Sequence, residues 1–145
     1  MTLWIDADGF PRRQREIALK AARREGMQAV IVADRSIDAG ECSAVKTVVV
    51  EPGDDRSDDY IEAHLSEGDL VLTRDIPAMD RFIRRGGICL DDRGKLYTRE
   101  NIRERLSIRD AMDEYRQYAG GQPRTKQTPQ RDVQEFANTL AGILK

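Results

Sequence analysis

The sequence predicts an α/β fold in three layers, a parallel sheet of about five strands with helices on both faces. Short β-rich apolar runs alternate with segments of helical period along the chain. Two of those runs, Ala29–Ala33 (AVIVA) and Thr47–Val50 (TVVV), are apolar throughout, the pattern of parallel strands covered above and below. Glycine and proline punctuate the junctions between the two kinds of segment.

Leu3–Asp6 reads as the first strand. Pro11 suits the first position of a helix running to Glu25, with Ile17, Ala18, Ala21 and Ala22 on one face and Gly26 as the residue that closes it. Ala29–Ala33 is the second strand, and residues 34–46 read as a loop before the third, Thr47–Val50. Ser57 is expected to cap a helix through Leu65 whose inward face is Tyr60, Ile61 and Leu65. Gly68 and Asp69 turn the chain into Leu70–Thr73, the fourth strand. Pro77 opens a third helix that ends at Gly86 and Gly87, and Ile88–Leu90 is a short fifth strand. Asp92-Arg93-Gly94 reads as a turn, leaving Leu96 and Tyr97 as a short extension. Thr98 is expected to cap a long charged helix to about Tyr118, read either as a solvated face or as a homodimer surface. Residues 120–130, rich in Gly, Pro, Thr and Gln, read as a flexible linker. A closing helix at 131–144 follows, with Val133, Phe136, Ala137, Leu140 and Ile143 at helical spacing and Asp132 and Glu135 spaced as a capping box. It is expected to dock on the core.

A chain of 145 residues is expected to form one domain, 1–145, with a core that needs no staples. Hydrophobic residues make up 39% and charged residues 34%, and the net charge of −2 carries no bulk signal for nucleic acid. Only five of the 24 basic residues are lysine; arginine suits bidentate phosphate contacts, although GC-rich genomes favour it too. Cys42 and Cys89 lie far apart with no metal-type spacing, which fits reduced thiols and a cytoplasmic location. No signal peptide and no membrane-spanning run is visible.

The chemistry is expected among the acids. Asp6 and Asp8 stand two apart at the end of the first strand, so on a continued strand they share a face. Two unit charges about 4 Å apart repel by roughly 4 kcal/mol at an effective dielectric near 20. Asp75 follows the fourth strand two residues after Thr73, and Asp80 is placed in the first turn of the helix begun by Pro77. Asp54, Asp55, Asp58 and Asp59 crowd the opening of the second helix, where Asp54 and Asp55 also serve as turn residues. Three connections thus deliver carboxylates to the edge where open α/β sheets bind ligands. Converging carboxylates are tolerable around a hard divalent cation, Mg²⁺ or Mn²⁺, and such a site suits phosphoryl chemistry. Each acid also has a bland use as a cap or a helix-dipole partner, and the bland use is weakest for the Asp6/Asp8 pair.

Arg12 and Arg13 fall in the first turn of helix one, against its dipole, and offer a grip on a nucleic-acid backbone. Arg81, Arg84 and Arg85, with Arg74 nearby, form a second candidate rim; Arg124, Lys126 and Arg131 beside the linker form a weaker one. His64, the lone histidine, reads as a partly buried structural residue, and Trp4 as core. Ser57 and Thr73 lack a neighbouring base, and no phosphate-binding glycine loop is present.

These segments carry a resemblance. "WIDADGFP" is similar to the "DADACP" start of the YaiI/YqxD family of uncharacterised bacterial proteins. "DDRSDDYI", "GDLVLTRDIPA", "RGKLYTRENIRERLSIRD" and "QRDVQEFANTL" resemble the same family nearly end to end. The resemblance implies a PIN-like fold related to metal-dependent ribonucleases. It makes Asp6, Asp8, Asp58 and Asp75 the metal-binding and catalytic set, with Asp55 a further candidate. Asp59, Thr73 and Asp80 would stand close enough to support it. One departure is Phe10, where the family usually has cysteine, which argues against thiol chemistry at that position.

The leading expectation is therefore a Mg²⁺- or Mn²⁺-dependent nuclease acting on RNA. Its competitor is a PIN-like module that binds nucleic acid or protein without catalysis. A haloacid-dehalogenase-like phosphatase fits less well. It would use the Asp-x-Asp of "DADGF" and Asp91-Asp92, yet it needs a lysine where none occurs between Lys46 and Lys95.

Overall fold

A computed structural model describes residues 1–37, 45–53, 55–108 and 129–144. The strands are β1 (Thr2–Asp6), β2 (Gln28–Ala33), β3 (Val45–Val49), β4 (Leu70–Leu72), β5 (Ile88–Leu90) and β6 (Leu96–Tyr97). The helices are α1 (Arg12–Arg24), α2 (Arg56–His64), α3 (Ile76–Arg84), α4 (described over 102–108) and α5 (Gln130–Ile143). One sheet runs in the order β3-β2-β1-β4-β5-β6. Its first five members are parallel and β6 returns antiparallel to β5, with Cys89 opposite Tyr97. The expected extension at Leu96 and Tyr97 is thus a sixth strand.

Strand parity sorts the core into two layers. Leu3, Ile5, Ala29, Ile31, Leu70, Leu72 and Leu90 face α1 and α5, where Leu19, Phe136 and Leu140 meet them. Trp4, Val30, Val32, Val71 and Cys89 face α2, α3 and α4, packing on Ile61, Met79, Phe82 and Ile102. Both faces of β1, β2 and β4 are covered, as continuous apolar runs require. β3 departs from that expectation: it is the sheet edge, none of its residues is buried, and Val49 is 56% exposed.

Several helix starts differ from the sequence reading, each for a local reason. Pro11 is the residue before α1 rather than within it, and α1 closes through the Met27 and Gly26 N–H groups on Ala22 and Arg23, with Gly26 at φ +68°. Ser57 does not cap α2; the chain turns at Asp55, and Ser57 lies inside the first turn with its hydroxyl directed to Asp8. Asp75 caps α3 by accepting the Ala78 N–H at 3.2 Å, so Asp80 falls beyond the first turn. Before α4 the Thr98 carbonyl accepts the Asn101 and Ile102 N–H groups, while the Asn101 carboxamide accepts the Thr98 N–H. The expected course of α4 to Tyr118 lies outside the described residues, as do the linker 120–128, Cys42, Asp54, Arg124 and Lys126. α5 begins at Gln130 after Pro129, and Asp132 makes no side-chain cap.

α5 packs on the sheet through Val133, Phe136, Leu140 and Leu144. Phe10, where the family cysteine was expected, meets Phe136 edge to face at 5.9 Å. Gly94 in the β5–β6 turn lies so close that a Cβ there would stand 2.6 Å from the Glu135 carbonyl. Phe136→Ala is expected to cost about 3–5 kcal/mol by emptying this contact, measured as a lower urea midpoint at unchanged slope.

Candidate metal centre

Strand order reverses between β1 and β4, and the carboxyl ends of these parallel strands diverge there into a cleft of about 860 Å³. Parity places its floor. Asp6 follows Trp4 and Thr73 follows Val71 by two residues, so both lie on the layer covered by α2 and α3. Thr73 donates its hydroxyl to Asp6 Oδ2 at 3.0 Å and accepts the Asp75 N–H at 3.1 Å. One hydroxyl thereby ties the end of β1 to the connection after β4.

α2 supplies the opposite wall. Asp55, immediately before it, takes φ +62°, the one non-glycine positive φ among the described residues, which aspartate tolerates better than most. Carboxylate oxygens of Asp55, Asp58 and Asp75 all lie within 4.8 Å of one another. Asp58 also faces Asp6 across a carboxyl–carboxylate hydrogen bond.

Asp8 takes a different course from the one predicted. β1 ends at Asp6, so Asp8 leaves the strand and is exposed at the rim. Its carboxylate accepts the Ser57 hydroxyl at 3.1 Å and the Asp34 N–H at 3.3 Å.

Crowding leaves a clear electrostatic mark. Burial, then the neighbouring Asp6 and Asp75, pushes the Asp58 carboxyl up to about 8. Burial raises Asp6 to about 6 despite the Thr73 and Asp58 hydrogen bonds. In the absence of a cation, the Asp6–Asp58 pair therefore retains a proton at neutral pH, shared between the two carboxyls.

The remaining sequence candidates divide. Thr73 and Arg74 line the cleft. Arg74 donates to the Gly9 carbonyl at 2.9 Å and pairs with Asp92 at 3.5 Å. Asp59 and Arg81 point elsewhere, paired with each other at 2.6 Å on the outer faces of α2 and α3, with Glu62 also on Arg81. Asp80 pairs with Arg84 away from the cleft. Arg12 pairs with Glu16, and Arg13 donates to Gln130 of α5. His64 is exposed rather than partly buried and stacks on Tyr60. Asp34, Arg35 and Arg56 line the cleft although sequence reasoning passed over them. Asp34 and Arg35 directly follow β2, so the strand-end rule used for Asp6 and Asp75 would have found them.

Asp91 is consumed inside the β5–β6 turn, accepting the Arg93 and Lys95 N–H groups and the Tyr97 hydroxyl. Among the described residues no lysine lines the cleft. Both points weigh against phosphatase chemistry of the dehalogenase type.

A family model described as the uncharacterised YaiI/YqxD family matches residues 4–145. The chain belongs to the YaiI/YqxD family. It is 42% identical over 144 residues to a UPF0178 protein of Geobacter metallireducens, covering 99% of this chain and 93% of the relative. It is 41% identical to the UPF0178 protein of Syntrophobacter fumaroxidans, over 97% of this chain and 92% of that one. A Vibrio cholerae relative is also 41% identical, over 99% and 97% of the two chains. No solved structure matches. In this YaiI/YqxD member no helix among the described residues is long and apolar enough to cross a membrane.

The raised acids make a pH prediction. Unfolded carboxyls titrate near 3.8, whereas Asp6 and Asp58 in the fold titrate near 6 and 8, so the native state binds more protons across that interval. Stability of the metal-free protein is therefore expected to fall as pH rises from about 4 to about 8, the reverse of the usual carboxylate case. Thermal melts across that range should show the decline, and Asp58→Asn should flatten it.

Proposed function

We propose that this YaiI/YqxD protein is a Mg²⁺- or Mn²⁺-dependent phosphodiesterase that cuts nucleic acid, with RNA the first candidate substrate. The observation that carries this reading is the gathering of Asp55, Asp58 and Asp75 within 4.8 Å, backed by Asp6, at the switch point of the sheet. The donor set fits the ion. It is made of carboxylate oxygens without thiol or imidazole, which suits a hard cation.

In this reading Asp55, Asp58 and Asp75 hold the cation and Asp6 completes the floor. A bound divalent ion supplies charge neutralisation at the phosphodiester and lowers the pKa of water. Thr73 fixes the Asp6 carboxylate and, through the Asp75 N–H, the spacing of the two strand ends. Loading the site requires the Asp6–Asp58 pair to release its proton, so cation affinity rises with pH. Arg35, Arg56 and Arg74 at the rim face the phosphate charge that the acidic floor would otherwise repel.

A non-catalytic role has one observation in its favour. Asp75 caps α3, and Asp8 satisfies Ser57 and Asp34, so two of the acids have local structural uses. Purified protein with Mn²⁺ is expected to cleave single-stranded RNA, and Asp6→Asn to lose at least about 100-fold in rate, since outer partners of metal sites alone account for about 10–100-fold. Equal cleavage by both proteins would mark a contaminating nuclease. Absence of Mn²⁺ binding in the millimolar range by calorimetry would favour the binding module.

A further inference from the structure

Positive charge is unevenly placed around the cleft. The first turn of α1 holds no acid, so its cations stand where the helix dipole disfavours them. Arg12 and Arg15, three residues apart, share one face of that helix. Arg35 comes to the same region from the end of β2, because the Asp34 N–H is bonded to the Asp8 carboxylate beside the turn that leads into α1. Arg35 itself lines the cleft. Burial and then Arg12 lower the proton affinity of the Arg15 guanidinium; Arg35 adds to the effect and Glu16 opposes it. Glu16 pairs with Arg12 at 3.0 Å, and among the described residues Arg15 and Arg35 have no ion pair. Of these three guanidinia only Arg12 is in an ion pair among the described residues, next to a floor that is strongly acidic.

We infer that Arg12, Arg15 and Arg35 form a phosphate subsite beside the cleft, which holds a polynucleotide backbone at a phosphate neighbouring the one over the acidic floor. Guanidinium groups match phosphate oxygens in a planar fork, and Arg15, partly buried and without an ion pair among the described residues, gains most from an anion. A mononucleotide spans only one of the two positions, so the arrangement selects chains over monomers. This rests on the reading of the cleft as a phosphodiester site. An acidic protein surface offers similar charge, but Arg35 belongs to both the cluster and the cleft, which favours a ligand that runs continuously from one to the other.

The test is fluorescence anisotropy with a labelled single-stranded RNA of about ten nucleotides, in the Asp6→Asn background so that cleavage does not blur binding. Adding Arg12→Gln and Arg15→Gln is expected to raise Kd by about tenfold and to make the log–log salt dependence shallower by about 0.7 per lost contact. Unchanged affinity and slope would overturn the subsite, as would failure of the parent to bind the oligonucleotide. Displacement of the RNA by polyglutamate as readily as by unlabelled RNA of equal charge would also overturn it, in favour of an acidic protein partner. If binding and its arginine dependence persist while wild-type protein never cleaves RNA with Mn²⁺, the subsite stands and the nuclease reading falls.

Discussion

The constraint on which this molecule turns is that the carboxylates at its switch point cannot all be charged together without help. Asp6, Asp58 and Asp75 are brought to one place by three different connections, and the burial of Asp6 and Asp58 removes water that would screen them. Two ways of relieving the repulsion exist: a proton or a cation. In the metal-free state the proton sits between Asp6 and Asp58; in the functional state proposed here a divalent ion takes its place. The surroundings serve either case. Thr73 spaces the strand ends, Asp55 adopts a left-handed backbone to bring its carboxylate to Asp58 and Asp75, and arginines ring the opening.

Aspartates elsewhere in the same chain show how far environment decides their character. Asp69 is as buried as Asp58, yet it sits at the opposite edge of the sheet among donors. Burial acts to raise it, but the Trp4 indole and the Ser66 and Thr2 N–H groups outweigh burial and hold it below the ordinary range. Asp91 is similarly occupied by the β5–β6 turn. No N–H or hydroxyl among the described residues donates to Asp58, which faces other acids. The difference between a structural and a chemical aspartate in this fold is therefore whether donors aimed at it offset its burial.

The C-terminal helix and the cleft are linked through the same short loop. Residues 7–10 carry Asp8 toward Ser57 and Asp34, accept Arg74 at the Gly9 carbonyl, and end at Phe10 on Phe136. Phe10 anchors α5 rather than lining the cleft, so this position bears on packing and leaves the acidic floor to the aspartates. Arg74 joins the loop to Asp92, whose carbonyl accepts the buried Gln14 amide of α1. The rim of the site is thus braced against the layer of α1 and α5.

Periodicity and strand-end position made much of this legible in advance. Apolar runs marked five of the six strands, and acids following β1 and β4 marked the edge where they meet, because strand alternation and the switch-point rule depend only on local order along the chain. The sequence by itself determined the α/β class, the helical face of α5 and the delivery of aspartates by three connections to one edge of the sheet. Only the tertiary structure decided which acids share a few ångströms. Whether β1 continues past Asp6, how Asp55 turns before α2, and whether Asp59 finds Arg81 or the cleft all depend on contacts between residues distant in the chain. Side-chain spacing along a sequence encodes a face, but the donors and charges that meet that face come from elsewhere, and they set what each carboxylate can do.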